Sequence, residues 1–390
     1  MTISVILMTI VPSGLEPQIG IPSETMTDAY VRPESGLDQN ARIAVLLSGG
    51  VDSSVALMRL REQGFRNITA YYLKIWLEDE LSYLGSCPWE EDLSYASAVA
   101  ELAGVPLVAV PLQREYYERV VMYTVSELKA GRTPSPDIMC NGRIKFQAFY
   151  DKIQSDVEAV ATGHYARLSV HGEERLMFRA PDPVKDQTYF LSRLSQSQLR
   201  KLLFPVGEFM KTDVRALAAR YGLPNRGRKD SQGICFLGKI RYPEFVRHYL
   251  GTKPGSIVER ETGRTLGAHD GHWFYTIGQR QGLGLSGGPW YVSGKEVGSN
   301  TVFVSSRPAA EAGARDRFTV RDPSWLSSPP ETDRLLLKIR HGPGIVPCSV
   351  RPLSDSRLEV RMDLPDRGVA AGQFAVFYDR ERCLGCGVIE

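Results

Sequence analysis

The chain has 390 residues, of which 43% are hydrophobic and 24% charged, with a formal net charge of +2 and six cysteines. That length exceeds one ordinary core and points to two or three domains. So few cysteines exclude a disulfide scaffold and read as reduced thiols, and the near-neutral balance means that any basic surface for nucleic acid must be local.

The first forty residues stand apart. MTISVILMTIV is apolar but too short to span a bilayer. No Lys or Arg precedes Arg32, whereas Glu16, Glu24, Asp28, Glu34 and Asp38 are acidic. An organellar transit peptide should be rich in arginine and poor in acids, so residues 1–40 are expected to be a disordered extension or the product of an over-early start codon. No other stretch reads as transmembrane, and a cytoplasmic protein is expected.

From Ala41 the texture changes. ARIAVLL is an apolar run of strand length, SSVALMRLREQG has helical spacing ending at Gly64, and NITAYYLKIW is β-branched and aromatic. WEEDLSYASAVAELAG predicts a helix with acids in its first turn, VPLVAVPL a strand, YYERVVMYTVSELKAG a helix and DVEAVATGHYARL a strand. Strands alternating with helices predict a doubly wound α/β domain with a parallel sheet, and ligands on such a sheet bind at the carboxyl ends of its strands. Glycine-rich segments follow from about Gly238, and alternating strand material (RFTVRD, RLLLKIRH, RLEVRMDL, QFAVFYD) from about Pro308. The expected division is 41–238 for the α/β domain, 239–307 for a small central domain and 308–390 for a C-terminal β-barrel.

SGGVDSS, Ser48 to Ser54, follows the first strand and opens the first helix. Glycines let backbone amides approach an anion, and the helix dipole adds positive potential there. Taken alone, it could be an ordinary strand–helix turn with a capping aspartate. The chain has no G-x-x-x-x-G-K-[ST], which argues against γ-phosphate transfer. SGGxDS resembles the pyrophosphate loop of the ATP pyrophosphatases, which adenylate an oxygen for a nucleophile to displace.

Two cysteines offer a sulfur nucleophile. TPSPDIMCN, Thr133 to Asn141, puts Cys140 in a stretch held open by two prolines, where an exposed thiol is expected; Cys235 lies in GRKDSQGICFLG. Together they could form a persulfide and its resolving thiol. Either could instead be a buried filler, and neither has the partners of a zinc site.

Taken with SGGVDSSVAL, ATGHYARL, KDQTYFL, TIGQRQGLG, PWYV and AGQFAVFYDRERCLGCGVI, these motifs make the chain, from Arg42 to its end, similar to the tRNA-specific 2-thiouridylases (MnmA/TrmU family). The resemblance implies ATP, Mg2+ and tRNA, with thiolation of the wobble uridine at C2. Position by position, Leu46, Leu47, Ser48, Gly49, Gly50, Val51, Asp52 and Ser53 would hold ATP, with Leu73 and Gly163 lining the nucleotide. Ser135, Pro136 and Asp137 would meet the flipped base, Asp137 as acid or base. Cys140 would be the nucleophile and Cys235 the persulfide carrier. His164, Lys185, Asp186, Gln187, Arg340, His341 and Gln373 would contact tRNA. A persulfide-donating sulfur carrier or cysteine desulfurase is the implied partner; no metal-binding side chains are assigned, and a monomer is expected.

Weaker signals surround these. Arg226, Arg228, Lys229, Lys239 and Arg241 form a basic cluster expected to meet RNA phosphates. Cys383 and Cys386 read as strand neighbours, Cys87 as structural, and TIGQRQGLGL as no second nucleotide site. The rivals are another ATP pyrophosphatase (a 4-thiouridine synthase or a nitrogen-transferring synthetase) and a non-catalytic tRNA-binding protein.

Overall fold

The computed structural model describes residues 36–75, 89–153, 157–230, 241–353 and 356–390. Cys87, Cys235 and Lys239 lie outside the described residues.

The first domain is built on strand β1 (Ile43–Leu46). It lies parallel to β2 (Ile68–Lys74) on one side and β4 (Ala159–Ala161) on the other, in a five-stranded sheet ordered β3-β2-β1-β4-β7, where β3 is Leu107–Pro111 and β7 Leu202–Leu203. Side chains alternate across a strand, and the two faces of β1 feed two cores. Ile43, Val45 and Leu47 pack with Val55, Leu57, Val99 and Ala218 of the helices Val51–Glu62, Trp89–Ala103 and Lys211–Arg220. Ala44 and Leu46 face Tyr116, Val120, Ile144 and Phe149. A strand buried on both faces needs the unbroken apolar run that the sequence has, each such side chain contributing roughly 1.5–3 kcal/mol.

The segment from Gln113 to Lys129 is helical throughout, with a wide π-type turn at Tyr117–Val121. A second helical stretch starts at Pro136–Met139 and widens into π-type turns over Cys140–Ala148, a geometry frequent at functional sites.

The central domain pairs β8 (Gly255–Glu259), β9 (Thr265–His269), β10 (Trp290–Glu296) and β11 (Thr301–Ser306) in the order β10-β11-β8-β9, preceded by the helix Tyr242–Leu250. In the C-terminal domain, β12 (Arg315–Trp325), β13 (Arg334–Lys338), β14 (Val346–Pro352), β15 (Arg357–Asp366), β16 (Phe374–Asp379) and β17 (Arg382–Ile389) form an antiparallel barrel closed by β12 pairing with β17.

One junction was not legible in the pattern. DVEAVATGHYARL is not one strand: it divides into β4 and β5 (Ala166–His171), and β5 leaves the parallel sheet. With β6 (Glu174–Arg179) it forms a hairpin whose second strand pairs with barrel strand β17, Phe178 opposite Arg382 and Met177 opposite Cys383. Covered from both domains, β17 is buried from Cys383 to Ile389, and the Cys383 and Cys386 thiols are free and packed, as expected of strand neighbours.

Candidate active site

The strand order reverses between β1 and β4, and both strands end there in loops. This is the crevice where an open α/β sheet takes its ligand. From β1, Ser48 to Gly50 curl back on the start of the first helix. The Ser48 amide donates to Ser53 Oγ at 3.2 Å, and the Ser53 and Ser54 hydroxyls donate to the Gly50 carbonyl at 3.0 and 2.9 Å. Gly50 occupies the cap position without a side-chain cap, so the first helical amides face outward from the loop. Gly49 has φ +76°, and a Cβ there would stand 2.3 Å from the Asp92 carbonyl oxygen. Only glycine fits. Leu46 and Leu47 bury their side chains and present only backbone; Tyr71 of β2 stands opposite Leu46, and Leu73 follows two residues on, near the end of that strand.

From β4, Gly163 approaches so closely that a Cβ would lie 2.5 Å from the Ser53 nitrogen. Tyr165 sends its hydroxyl to Asp52 Oδ1 at 2.9 Å. Burial and the Asp52 carboxylate both push the phenol up, so it stays a donor. Lys211 Nζ sits 2.6 Å from Asp52 Oδ1 and 2.8 Å from Asp230 Oδ1. Burial would raise the Asp230 carboxyl, but hydrogen bonds from Lys185 and Lys211 outweigh it and hold the group well below its usual range. Asn225 Nδ2 donates to the Gly49 carbonyl at 2.8 Å and to Ser54 Oγ at 2.9 Å, and Arg228 reaches the same carbonyl at 3.2 Å while pairing with Asp92. The cradle fits a polyphosphate anion: two glycines without room for a side chain, an uncapped helix start and cations behind it.

Tyr165, Lys211, Asn225, Arg228 and Asp230 were not singled out for this loop. Arg228 belonged instead to the expected RNA-facing cluster, and the structure turns it inward. Arg241 pairs with Glu244, and Arg226 bonds the Leu223 carbonyl. NRGRKD gave the charge but not its direction.

Cys140 corrects an expectation. It is not exposed: the thiol is 1% accessible, and burial, only partly offset by Lys145, pushes it up to about 11. Ile138, Met139 and Ile144 share its core. The stretch before it is pinned from other elements, since the Thr133 amide donates to the Ala371 carbonyl at 2.8 Å and the Ser135 amide to the Tyr123 hydroxyl oxygen at 3.4 Å. Pro136 opens the short helix, and Asp137 is half-buried within electrostatic reach of Cys140. Asn141 donates to the Phe190 carbonyl at 3.0 Å, and the His341 ring lies 4.6 Å from that of Phe190. Lys145 acts electrostatically on both Cys140 and His164. The helix carrying Cys140 therefore borders both the His341 side of the barrel and His164, the neighbour of Gly163.

The residues expected to touch tRNA differ in exposure. Arg340 and His341 are exposed, and Lys185 and Gln187 half-buried. His164 is buried, accepts or donates a 2.7 Å bond with Thr162, and is kept neutral by burial and then Lys145. Gln373 keeps a buried Oε1 with no hydrogen-bond partner among the described residues. Asp186 has no surface at all: its carboxylate takes Lys338 Nζ at 2.8 Å and the Thr188 hydroxyl at 2.8 Å.

Family models match along nearly the whole chain: "tRNA methyl transferase HUP domain" over 41–239, "tRNA methyl transferase PRC-barrel domain" over 243–306 and "Aminomethyltransferase beta-barrel domain" over 315–389. The chain is 45% identical over 356 residues to a tRNA-specific 2-thiouridylase MnmA of Parabacteroides distasonis, covering 89% of this chain and 98% of that one. It is 44% identical to MnmA 1 of Bacteroides thetaiotaomicron (89% and 99%) and 42% identical to MnmA of Porphyromonas gingivalis (89% and 98%). The models' descriptions speak of methyl transfer and the relatives' names of thiolation; a phosphate cradle at the switch point suits the second. The chain belongs to the MnmA family of tRNA-specific 2-thiouridylases, tRNA sulfurtransferases that use ATP through a pyrophosphate loop.

Proposed function

We propose that the enzyme activates the wobble uridine of tRNA by adenylating its O2 and then replaces that oxygen with sulfur delivered by Cys235 and Cys140. The observation that supports this reading is the position of the helix carrying Cys140: Asn141 bonds the carbonyl of Phe190, whose ring lies against His341, and Phe146 lies 6.1 Å from the ring of His164, the neighbour of Gly163 in the cradle.

The chemistry balances. A uridine C2 oxygen is a poor leaving group. Attack of O2 on the α-phosphorus releases pyrophosphate, which the uncapped helix start and the Lys211 side receive, and makes the oxygen part of AMP. Cys140 thiolate attacks the inner sulfur of a Cys235 persulfide, closing a Cys140–Cys235 disulfide and expelling hydrosulfide. The hydrosulfide adds at C2, the C2–O bond breaks, and AMP leaves with the former uridine oxygen. A dithiol reductant then reopens the disulfide. Asp137 would carry the proton at the base. Taking a loop base out of its stack costs a few kcal/mol, so Ser135, Pro136, Gln373 and His164 would hold the extruded nucleotide while Lys185, Gln187, Arg340 and His341 meet its backbone.

Mg2+ would enter with the nucleotide. No cluster of three or more His, Cys, Asp or Glu ligands occurs among the described residues, so phosphates and water would supply most of its coordination. The persulfide would come from a sulfur carrier or a cysteine desulfurase. No helix of the described residues is long and apolar enough to cross a membrane.

The buried Cys140 thiol supports a resting state in which sulfur transfer waits for tRNA to open the stretch. Isotope transfer tests the adenylation. With tRNA carrying 18O at uridine O2, the AMP produced should gain one heavy oxygen; AMP of natural mass alongside 2-thiouridine would reject it.

A further inference from the structure

Lys338 is a fully buried lysine on the barrel strand β13, and its Nζ lies 2.8 Å from Asp186 Oδ2, a fully buried carboxylate of the first domain. Asp186 is fully engaged. Its Oδ1 also accepts the Thr188 hydroxyl at 2.8 Å and the Ala180 and Thr188 amides at 3.3 Å, and Arg179 Nε stands 3.5 Å from Oδ2. Thr188 Oγ1 lies 3.2 Å from the Tyr378 hydroxyl on barrel strand β16.

Buried ion pairs are poor stabilisers: desolvating both charges offsets most of their attraction, and apolar pairs of similar volume often do as well. Such a pair does fix geometry, because leaving either charge alone is costly. What this pair fixes is specific. Lys185 and Gln187 flank Asp186 in sequence, while Arg340 and His341 follow Lys338 by two and three residues. Gln187 Oε1 in turn accepts the Tyr165 amide at 2.9 Å.

We infer that Lys338 is a positioning residue for RNA, its bond to Asp186 setting the register between the first-domain strip Lys185–Gln187 and the barrel residues Arg340 and His341. The inference rests on the proposed tRNA-facing role of those four residues. Asp186 itself then works inward, and its neighbours face the ligand. A small shift of barrel against domain would leave each set of side chains intact but separate the two by the wrong distance for one RNA backbone.

The test uses the full chain with Lys338→Met, which keeps most of the side chain's length without its charge, and Asp186→Asn, which keeps an oxygen to accept the Oδ1 bonds. Binding of unmodified substrate tRNA and of ATP is measured separately, at a temperature where thermal melts show each variant folded. The expected result is tRNA affinity about tenfold weaker in either variant, with ATP affinity within about twofold of wild type. Recovery of most tRNA affinity in the double variant, where neither Lys338 nor Asp186 is left charged without the other, would support the inference. Wild-type tRNA affinity in both single variants would overturn it, as would a parallel loss of ATP and tRNA binding, which marks general loosening. Failure of the unaltered protein to bind tRNA would instead remove the reading on which the inference rests.

Discussion

The Tyr165 hydroxyl donates to Asp52 Oδ1 at 2.9 Å, tying the segment after β4 to the loop after β1 across the switch point of the sheet. Lys211 donates to the same oxygen at 2.6 Å. Asp52 therefore has a fixed orientation and a compensating charge beside a cradle meant for anions, where a free carboxylate would repel phosphate.

Replacing Tyr165 with Phe removes a hydrogen bond to a charged group, worth about 1.5–3 kcal/mol. The KM for ATP should rise about tenfold with a smaller change in kcat, since about 1.4 kcal/mol corresponds to a factor of ten. Steady-state pyrophosphate release against ATP concentration checks this, and an unchanged KM would disconnect Tyr165 from the nucleotide.

Gly163→Ala should be far more harmful than its size suggests. The new Cβ would lie 2.5 Å from the Ser53 nitrogen and 2.6 Å from the Asp52 carbonyl carbon, both backbone atoms that cannot swing aside. Overpacking of this kind costs about 1–3 kcal/mol, and the displaced loop should weaken ATP binding more than tenfold. Gly227→Ala, whose Cβ would meet nothing within 4 Å, serves as the control. Equal ATP affinity in the two variants would contradict the close packing assigned to Gly163.

The buried Cys140 thiol makes a prediction in pH. Its folded value is about 11, raised by burial, against about 8.5 for a free thiol. Because the folded value is the higher one, its contribution to stability is complete below about pH 8.5 and is lost as pH rises toward 11. In the absence of tRNA, iodoacetamide should label Cys140 far more slowly than a free thiol at pH 7.5, with the rate still climbing above pH 9. Peptide mass spectrometry reads this directly. Addition of tRNA should accelerate the labelling if the base-side loop must open for chemistry; no acceleration with bound tRNA would mean that the thiol is reached another way.

Some of this architecture could be read from the residues alone. An unbroken apolar run before SGGVDSS specifies a doubly buried strand and an anion loop, because period and glycine placement are local properties. Barrel strands such as RLEVRMDL also announce themselves, with Leu358, Val360 and Met362 inward and Arg357, Glu359 and Arg361 between them. What sequence did not disclose was long-range. The pairing of Met177 with Cys383, the burial of Cys140 beneath a proline-rich stretch, and the inward turn of Arg228 and Asp186 all depend on partners distant in the chain. KDQTYFL shows a lysine and an aspartate side by side but not that one is half-buried and the other sealed against Lys338.

The central claim is that two cysteines carry sulfur to an adenylated uridine. Nucleoside mass spectrometry tests it most directly, on unmodified lysine tRNA incubated with ATP, Mg2+, a persulfide donor and either the unaltered enzyme or its Cys140→Ser and Cys235→Ser variants. The account predicts 2-thiouridine from the unaltered enzyme, its loss in both variants, and retained tRNA-dependent pyrophosphate release in Cys235→Ser. Thiolation that survives either substitution, or pyrophosphate release from the unaltered enzyme with no thiolated nucleoside, would contradict it.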